Sequence, residues 1–253
     1  MRAAKDDMFG TVPQERDNKD LKIIPVSVLD IGPQGGRQGE DHNSTSSRQN
    51  YSPFPLEVAD LCYQFFLRDS EHIVDPFAGW GERHFKAIEW GKNYWGVDKS
   101  PVAIEHAMNV FGVKNGLGDS RNCYVPPHEG LITCPPYWNL ESYEGNGIDG
   151  AESWDWFLQS LRQIFERFYL MADGGATYCI VVGDWRKAGI YYDLEYQVSK
   201  IFKRLGADIV DKIVVSRKQT SKIKIMLPQA KRLGYSVRVH ENLLVFRKPE
   251  DKG

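Results

Sequence analysis

Ile73-Val74-Asp75-Pro76-Phe77-Ala78-Gly79-Trp80-Gly81 reads as a buried strand, Ile73 to Phe77, running into a glycine loop. A helical pattern follows through Phe85, Ile88 and Trp90. Tyr94 to Asp98 is a second strand and Pro101 to Val110 a second helix. Leu131 to Cys134 is a third strand, and Trp154 to Met171 is a long amphipathic helix. Ala176 to Gly183 and Tyr191 to Leu205 repeat the strand-then-helix order. Upstream, Ser52-Pro53-Phe54-Pro55 opens a helix with apolar positions at Val58, Leu61, Cys62, Phe65 and Phe66. Strands that alternate with helices predict an α/β fold with a mainly parallel sheet covered on both faces. The last two strands, Ile209 to Ser216 and Val237 to Arg247, have no strong helical pattern between them. They predict an antiparallel C-terminal hairpin at the sheet edge.

The chain divides into three parts. Residues 1–50 read as a flexible N-terminal arm, with linker-like runs at Gly32-Pro33-Gln34-Gly35-Gly36 and Asn43-Ser44-Thr45-Ser46-Ser47. Ile23 to Leu29 is a candidate short strand within it. Residues 51–248 form the folded domain, and 249–253 a tail. The 253 residues suffice for one large core. A 42% hydrophobic and 26% charged composition is that of a globular domain. No apolar run approaches the roughly 18 residues of a spanning helix, and Met1-Arg2-Ala3-Ala4-Lys5-Asp6-Asp7 lacks a signal-peptide core. A cytoplasmic protein with reduced thiols is expected, and no membrane partner. Cys123, His128 and Cys134 match no common zinc spacing, so no metal is predicted. The net charge of -2 conceals a basic segment: Lys200 to Lys248 holds 13 Lys plus Arg against 3 Asp plus Glu. A basic segment on an acidic body points to a polyanionic partner.

In an open α/β sheet, ligands bind beyond the carboxyl ends of the strands. The Asp75–Gly81 loop sits at such an end, where Gly79 and Gly81 permit tight turning and close backbone approach. Asp98 closes the next strand and can accept from both hydroxyls of a ribose. Asp119, in Gly118-Asp119-Ser120, can accept from an adenine amino group. A GxGxxG fingerprint and a Walker loop are both absent, which disfavours NAD binding and phosphoryl transfer.

With Thr133-Cys134-Pro135-Pro136-Tyr137-Trp138 the chain resembles a known family. It is similar, over most of residues 51–248, to the S-adenosylmethionine-dependent DNA amino-methyltransferases that modify adenine N6 or cytosine N4. Asp75 to Gly81 resembles their DPFxGxG cofactor loop, and Thr133 to Trp138 their (D/S/N)PPY catalytic loop. His240-Glu241-Asn242-Leu243-Leu244-Val245-Phe246-Arg247-Lys248 resembles their closing strand. The resemblance implies a Rossmann-like methyltransferase fold with a seven-stranded sheet. It implies S-adenosylmethionine held by Ser52, Pro53, Phe54, Asp75, Pro76, Phe77, Gly79, Gly81, Asp98, Lys99 and Asp119. Cys134, Pro135, Pro136 and Tyr137 would be catalytic, on a base flipped out of DNA, as in restriction-modification systems.

The chemistry needs these residue types. An exocyclic amino nitrogen is a poor nucleophile because its lone pair is delocalised into the ring. Acceptors must hold its hydrogens, and the Pro135 carbonyl can be one. Paired prolines stiffen the loop, and Tyr137 can stack on the extruded base. Cys134 departs from the family, which places Asp, Asn or Ser there; a thiol is a weak acceptor. Glu82-Arg83 after Gly81 is a second departure. Trp138, Arg217, Lys218, Lys222, Lys224, Lys231 and Arg232 are the candidate nucleic-acid contacts, with Tyr143 and Asn146 near the substrate. The alternatives are the same chemistry on RNA (guanine N2 or adenine N6), a glutamine methyltransferase, carbon methylation through Cys134, and a binding module with weakened catalysis.

Overall fold

In chain order the strands are β1 (Val28–Ile31), β2 (His72–Asp75), β3 (Asn93–Asp98), β4 (Gly116–Leu117), β5 (His128–Thr133), β6 (Ala172–Val182), β7 (Trp185–Lys187), β8 (Ile190–Tyr192), β9 (Asp208–Arg217) and β10 (His240–Arg247). The helices are α1 (Leu56–Leu61), α2 (Glu82–Glu89), α3 (Pro101–Phe111), α4 (Trp154–Met171), α5 (Leu194–Leu205) and α6 (Thr220–Leu233). A π-helical turn, Cys62–Phe66, extends α1. This computed structural model describes residues 23, 25–31, 53–139, 147–217 and 220–251.

Eight strands form one sheet in the order β1-β9-β10-β6-β5-β2-β3-β4. The expected number was seven. The extra strand is β1, from the N-terminal arm, which pairs in parallel with β9 from Val28↔Val214 to Ile31↔Arg217. Every strand runs the same way except β10, which is antiparallel to both β6 and β9. The predicted β9–β10 antiparallel pair therefore exists, but β10 lies inside the sheet, not at its edge. A helix, α6, occupies the connection where none was expected. Pro228 sits inside it, and proline disrupts the pattern by which a helix is read. A separate hairpin, β7–β8, turns through Ala188 and Gly189 at φ 51 and 83. Two successive left-handed residues are what a tight type I′ hairpin turn requires.

Side chains alternate across the sheet, and the two faces bury two clusters. Val74, Leu131, Tyr178, Ile180, Val182, Leu244 and Phe246 pack under α4 and α5, against Phe157, Leu161, Ile164, Phe165, Phe168 and Phe202. Their neighbours Ile73, Ile132, Cys179, Val181, Leu243 and Val245 face the other way, against Val58, Leu61, Cys62, Phe66 and Ala87. Strands buried on both faces explain why they read as continuous apolar runs. α4 starts at Ser153, whose hydroxyl accepts from the Trp156 N–H, and α3 starts at Ser100, which accepts from Ala103 N–H. Such caps set where the helices begin. Among the described residues no helix is long and apolar enough to cross a membrane.

Candidate active site

The parallel strands β2, β3, β5 and β6 end at one edge, and the loops leaving them enclose a cleft. Its walls carry Phe54, Phe77, Gly79, Asp98 and Asp119 at one end and Cys134, Pro135, Pro136, Tyr137, Asp149 and Glu241 at the other. It holds about 1040 Å³ of empty space, open solvent at its mouth included. Pro53, Pro76 and Lys99 also line it. Ser52 lies outside the described residues.

Gly79 turns with φ 58 and donates its N–H to Asp98 Oδ2 at 2.8 Å. Ser100 N–H donates to Asp98 Oδ1 at 2.9 Å. Each carboxylate oxygen thus spends one lone pair on the backbone and keeps another. Burial raises the Asp98 pKa above the ordinary carboxylate value, against the pull of those two N–H donors. Asp119, expected to receive an adenine amino group, accepts from Arg121 Nη2 at 2.6 Å and Lys99 Nζ at 3.1 Å. Arg121 is the main cause that holds its pKa far below the usual range. Its carboxylate lines the cleft but is already committed.

Asp75 and Gly81 support the cleft without lining it. Asp75 is fully buried and accepts four hydrogen bonds: from Arg83 Nε at 2.6 Å, Tyr94 Oη at 2.7 Å, Thr133 Oγ1 at 2.5 Å and Phe77 N at 3.0 Å. A carboxylate has about four lone-pair sites, so none remains for a cofactor. Arg83 also donates to the Phe77 carbonyl at 2.5 Å, and Tyr63 Oη donates to the Arg83 carbonyl. Burial pulls the Arg83 pKa down, but Asp75, together with Tyr94 and Cys134, outweighs it and the guanidinium stays charged. This one buried group ties the glycine loop, α2, β3 and the last residue of β5 together. Gly81, at φ 105, starts α2; a Cβ there would stand 2.8 Å from Ala107 Cβ. Its role is close packing against α3.

The Cys134–Tyr137 loop leaves β5 directly above this hub. Tyr137 Oη donates to Glu241 Oε1 at 2.9 Å, and its ring meets Trp185 edge-on at 5.4 Å. The tyrosine faces the cleft that contains Asp98. Trp138, expected to touch nucleic acid, turns the other way. Its Nε1 donates to the Ala151 carbonyl at 2.8 Å, and its ring packs on Tyr192 at 5.2 Å and Trp154 at 5.9 Å. Aromatic packing of this kind anchors the loop. Asn139, at φ 53, accepts from Lys187 Nζ through its Oδ1 at 2.7 Å, which ties the loop to the β7–β8 hairpin. Glu241 and Asp149 were not foreseen in the site. Asp149 follows the Cys134–Tyr137 loop closely in sequence, and its carbonyl accepts from Asn139 N–H at 3.0 Å, whereas Glu241 comes from a segment remote in sequence that only the topology brings in.

Because β9 runs parallel to β6, its carboxyl end lies at the same sheet edge, and so does the connection carrying α6. Lys224, Lys231 and Arg232 are exposed on α6. Arg217 ends β9 and Lys222 lies within α6; Lys218, Tyr143 and Asn146 fall outside the described residues. After α6 the chain packs on the hairpin through alternating cations and rings. The Arg186 guanidinium lies 5.1 Å from the Tyr235 ring and 4.9 Å from Tyr191, and Arg238 lies 4.8 Å from Tyr191. Among the described residues no group of three His, Cys, Asp or Glu gathers to hold a metal.

No protein-family model matches the sequence, and no curated protein sequence matches it. Solved structures do. An S-adenosylmethionine-dependent methyltransferase from Clostridium acetobutylicum superposes with a TM-score of 0.50 at 13% identity, over 78% of this chain and 93% of that one. The N-methyltransferase NodS from Bradyrhizobium japonicum gives 0.50 at 14% identity, over 77% and 96%. An S-adenosylmethionine-dependent methyltransferase from Methanosarcina mazei gives 0.52 at 8% identity, over 79% and 100%. The fold is therefore the Rossmann-like fold of the S-adenosylmethionine-dependent methyltransferases, carrying an eighth strand and a β7–β8 hairpin.

Proposed function

We propose that the protein transfers a methyl group from S-adenosylmethionine to the exocyclic amino group of adenine (N6) or cytosine (N4) in DNA. The observation that carries this reading is that Asp98 and Tyr137 line one continuous cleft. A ribose-binding carboxylate and a base-stacking ring thereby flank a common space.

The residues present fit the cofactor. Both Asp98 oxygens are fixed by backbone N–H groups and retain lone pairs for vicinal hydroxyls. Phe54, Pro53, Pro76 and Phe77 give apolar walls. Glu82, Asp98, Asp119, Asp149 and Glu241 outnumber the basic lining residues Arg83 and Lys99, which favours a ligand bearing cationic sulfonium and ammonium groups. Bound there, S-adenosylmethionine supplies an electrophilic methyl group. The chain's own contribution is positional. Pro135 and Pro136 stiffen the loop whose carbonyl accepts an amino hydrogen, and Tyr137 stacks on the base. Placement of the amino nitrogen among oriented acceptors in the cleft supplies the acceleration.

Three features support a nucleic-acid substrate. The basic α6, the Arg186–Tyr191–Arg238 stack and the Cys134–Tyr137 loop share one sheet edge, so phosphate contacts can position a base over the cleft. The resemblance of residues 240–248 to the closing strand of DNA enzymes favours DNA over RNA. The test is labelled-methyl transfer by the purified protein to DNA and RNA offered separately, followed by nucleoside analysis. Labelled N6-methyladenine or N4-methylcytosine from DNA is expected. Label confined to RNA, or absent from both polymers, would refute the assignment. Tyr137→Ala is expected to abolish transfer while S-adenosylmethionine still binds.

A further inference from the structure

The loop that should present a side-chain acceptor to the amino group carries a thiol at 134, yet a carboxylate faces the same cleft from another strand. Since β10 alone in the described eight-stranded sheet runs antiparallel, its amino end, Glu241, reaches the edge where the parallel strands finish. Tyr137 approaches from the β5 side and Glu241 from the β10 side, with the end of β6 between them. Gly183 follows β6 there, and a Cβ on it would stand 3.2 Å from both Tyr137 Oη and Glu241 Cγ. Its missing side chain leaves the room in which the 2.9 Å Tyr137–Glu241 hydrogen bond forms. One carboxylate is thus oriented by the very ring expected to stack on the base.

Resting on the reading above, we infer that Glu241 accepts the second amino hydrogen, the one not held by the Pro135 carbonyl, in place of the side-chain acceptor that the thiol at 134 does not supply. Holding that hydrogen draws the nitrogen lone pair out of the ring. The lone pair then forms the N–C bond, the electrons of the S–C bond stay on sulfur, and the amino proton passes to Glu241 and on to solvent. Tyr137 Oη donates to the carboxylate throughout and so fixes its direction.

Glu241→Gln separates this role from a structural one. The glutamine carbonyl can still accept from Tyr137 Oη, but the amide is no proton acceptor. The expected result is a fall in kcat of about 100-fold or more, with unchanged KM for DNA and an unchanged melting temperature. Tyr137→Phe keeps the ring and the charge at 241 and is expected to lose less, about tenfold at most. Glu241→Gln with kcat within threefold of wild type, or Tyr137→Phe as damaging as Glu241→Gln, would overturn the inference while leaving the methyltransferase reading intact. Absence of transfer by the wild type would overturn both.

Discussion

Replacing Asp75 by Asn tests whether one buried carboxylate holds the two loops of the cleft together. The Asp75 side chain is 0% exposed and that of Arg83 5%, so solvent screening does little to weaken their 2.6 Å contact. Asparagine matches the shape but removes the charge and sets an amide where an acceptor stood. Arg83 is then left as an uncompensated buried cation. Breaking such a pair from one side costs about 3–5 kcal/mol. At roughly 2–4 °C per kcal/mol for a chain of this size, melting should fall by about 6–20 °C. Urea unfolding and calorimetry on wild type, Asp75→Asn, Arg83→Met and the double variant make the measurement. The double variant should cost less than the two singles added together, by about 1–3 kcal/mol, because it leaves no orphaned charge. A cost below about 1 kcal/mol for Asp75→Asn, or strict additivity, would show that the hub is not what couples β2 to the start of the Cys134–Tyr137 loop.

The remaining expectations concern packing, protonation and charge. Gly81→Ala should cost about 2–6 kcal/mol through its left-handed φ and its 2.8 Å clash with Ala107. Gly91→Ala, also left-handed at φ 65 but with nothing within 4 Å, should cost only the backbone strain; equal urea midpoints for the two variants would contradict this. Asp98 has a raised pKa in the folded protein, so the folded state holds the proton more tightly. Its stability contribution is full below the ordinary carboxylate pKa and is lost as pH rises through the raised value. Affinity for S-adenosylhomocysteine should move oppositely, rising through that window as the carboxylate ionises. Asp98→Asn should flatten both curves, and a wild-type binding curve flat across the same pH range would move the ribose contact elsewhere. Replacing Lys224, Lys231 and Arg232 together by Ala should weaken DNA binding and reduce the log–log salt slope by up to about 0.9 per lost phosphate contact. Fluorescence anisotropy at several salt concentrations reads this, and an unchanged slope would take α6 out of the interface.

Much of the framework could be read from local pattern. Trp154–Met171 is helical over the predicted span because Ser153 caps it and its apolar spacing is regular. β2, β3 and β5 lie where the runs Ile73 to Phe77, Tyr94 to Asp98 and Leu131 to Cys134 placed them, to within a few residues. Beyond the antiparallel β9–β10 pair, partnership between strands was not legible. Nothing local says that β10 inserts between β6 and β9, or that β1 extends the sheet beyond β9. In the cleft, Gly79, Asp98 and Tyr137 could be found because strand-end loops aim at ligands. Asp75 and Trp138 belong to the same motifs but point inward. Whether a motif side chain faces ligand or core depends on the pleat and on partners such as Arg83 and Ala151, which lie outside the motif. Glu241 sat in a quoted stretch, yet its reach into the cleft follows from the reversed direction of its strand.

That reversal has a consequence for biosynthesis. A cleft whose wall includes residue 241 cannot be complete on a nascent chain until the ribosome has released the polypeptide past residue 247 and β10 has slid between two strands already made. The glycine loop and the proline loop can be in place earlier, with β6 exposing a ready hydrogen-bonding edge meanwhile. Binding competence should therefore arrive late and abruptly during synthesis, and translation intermediates halted before β10 should be inert and prone to pair with one another.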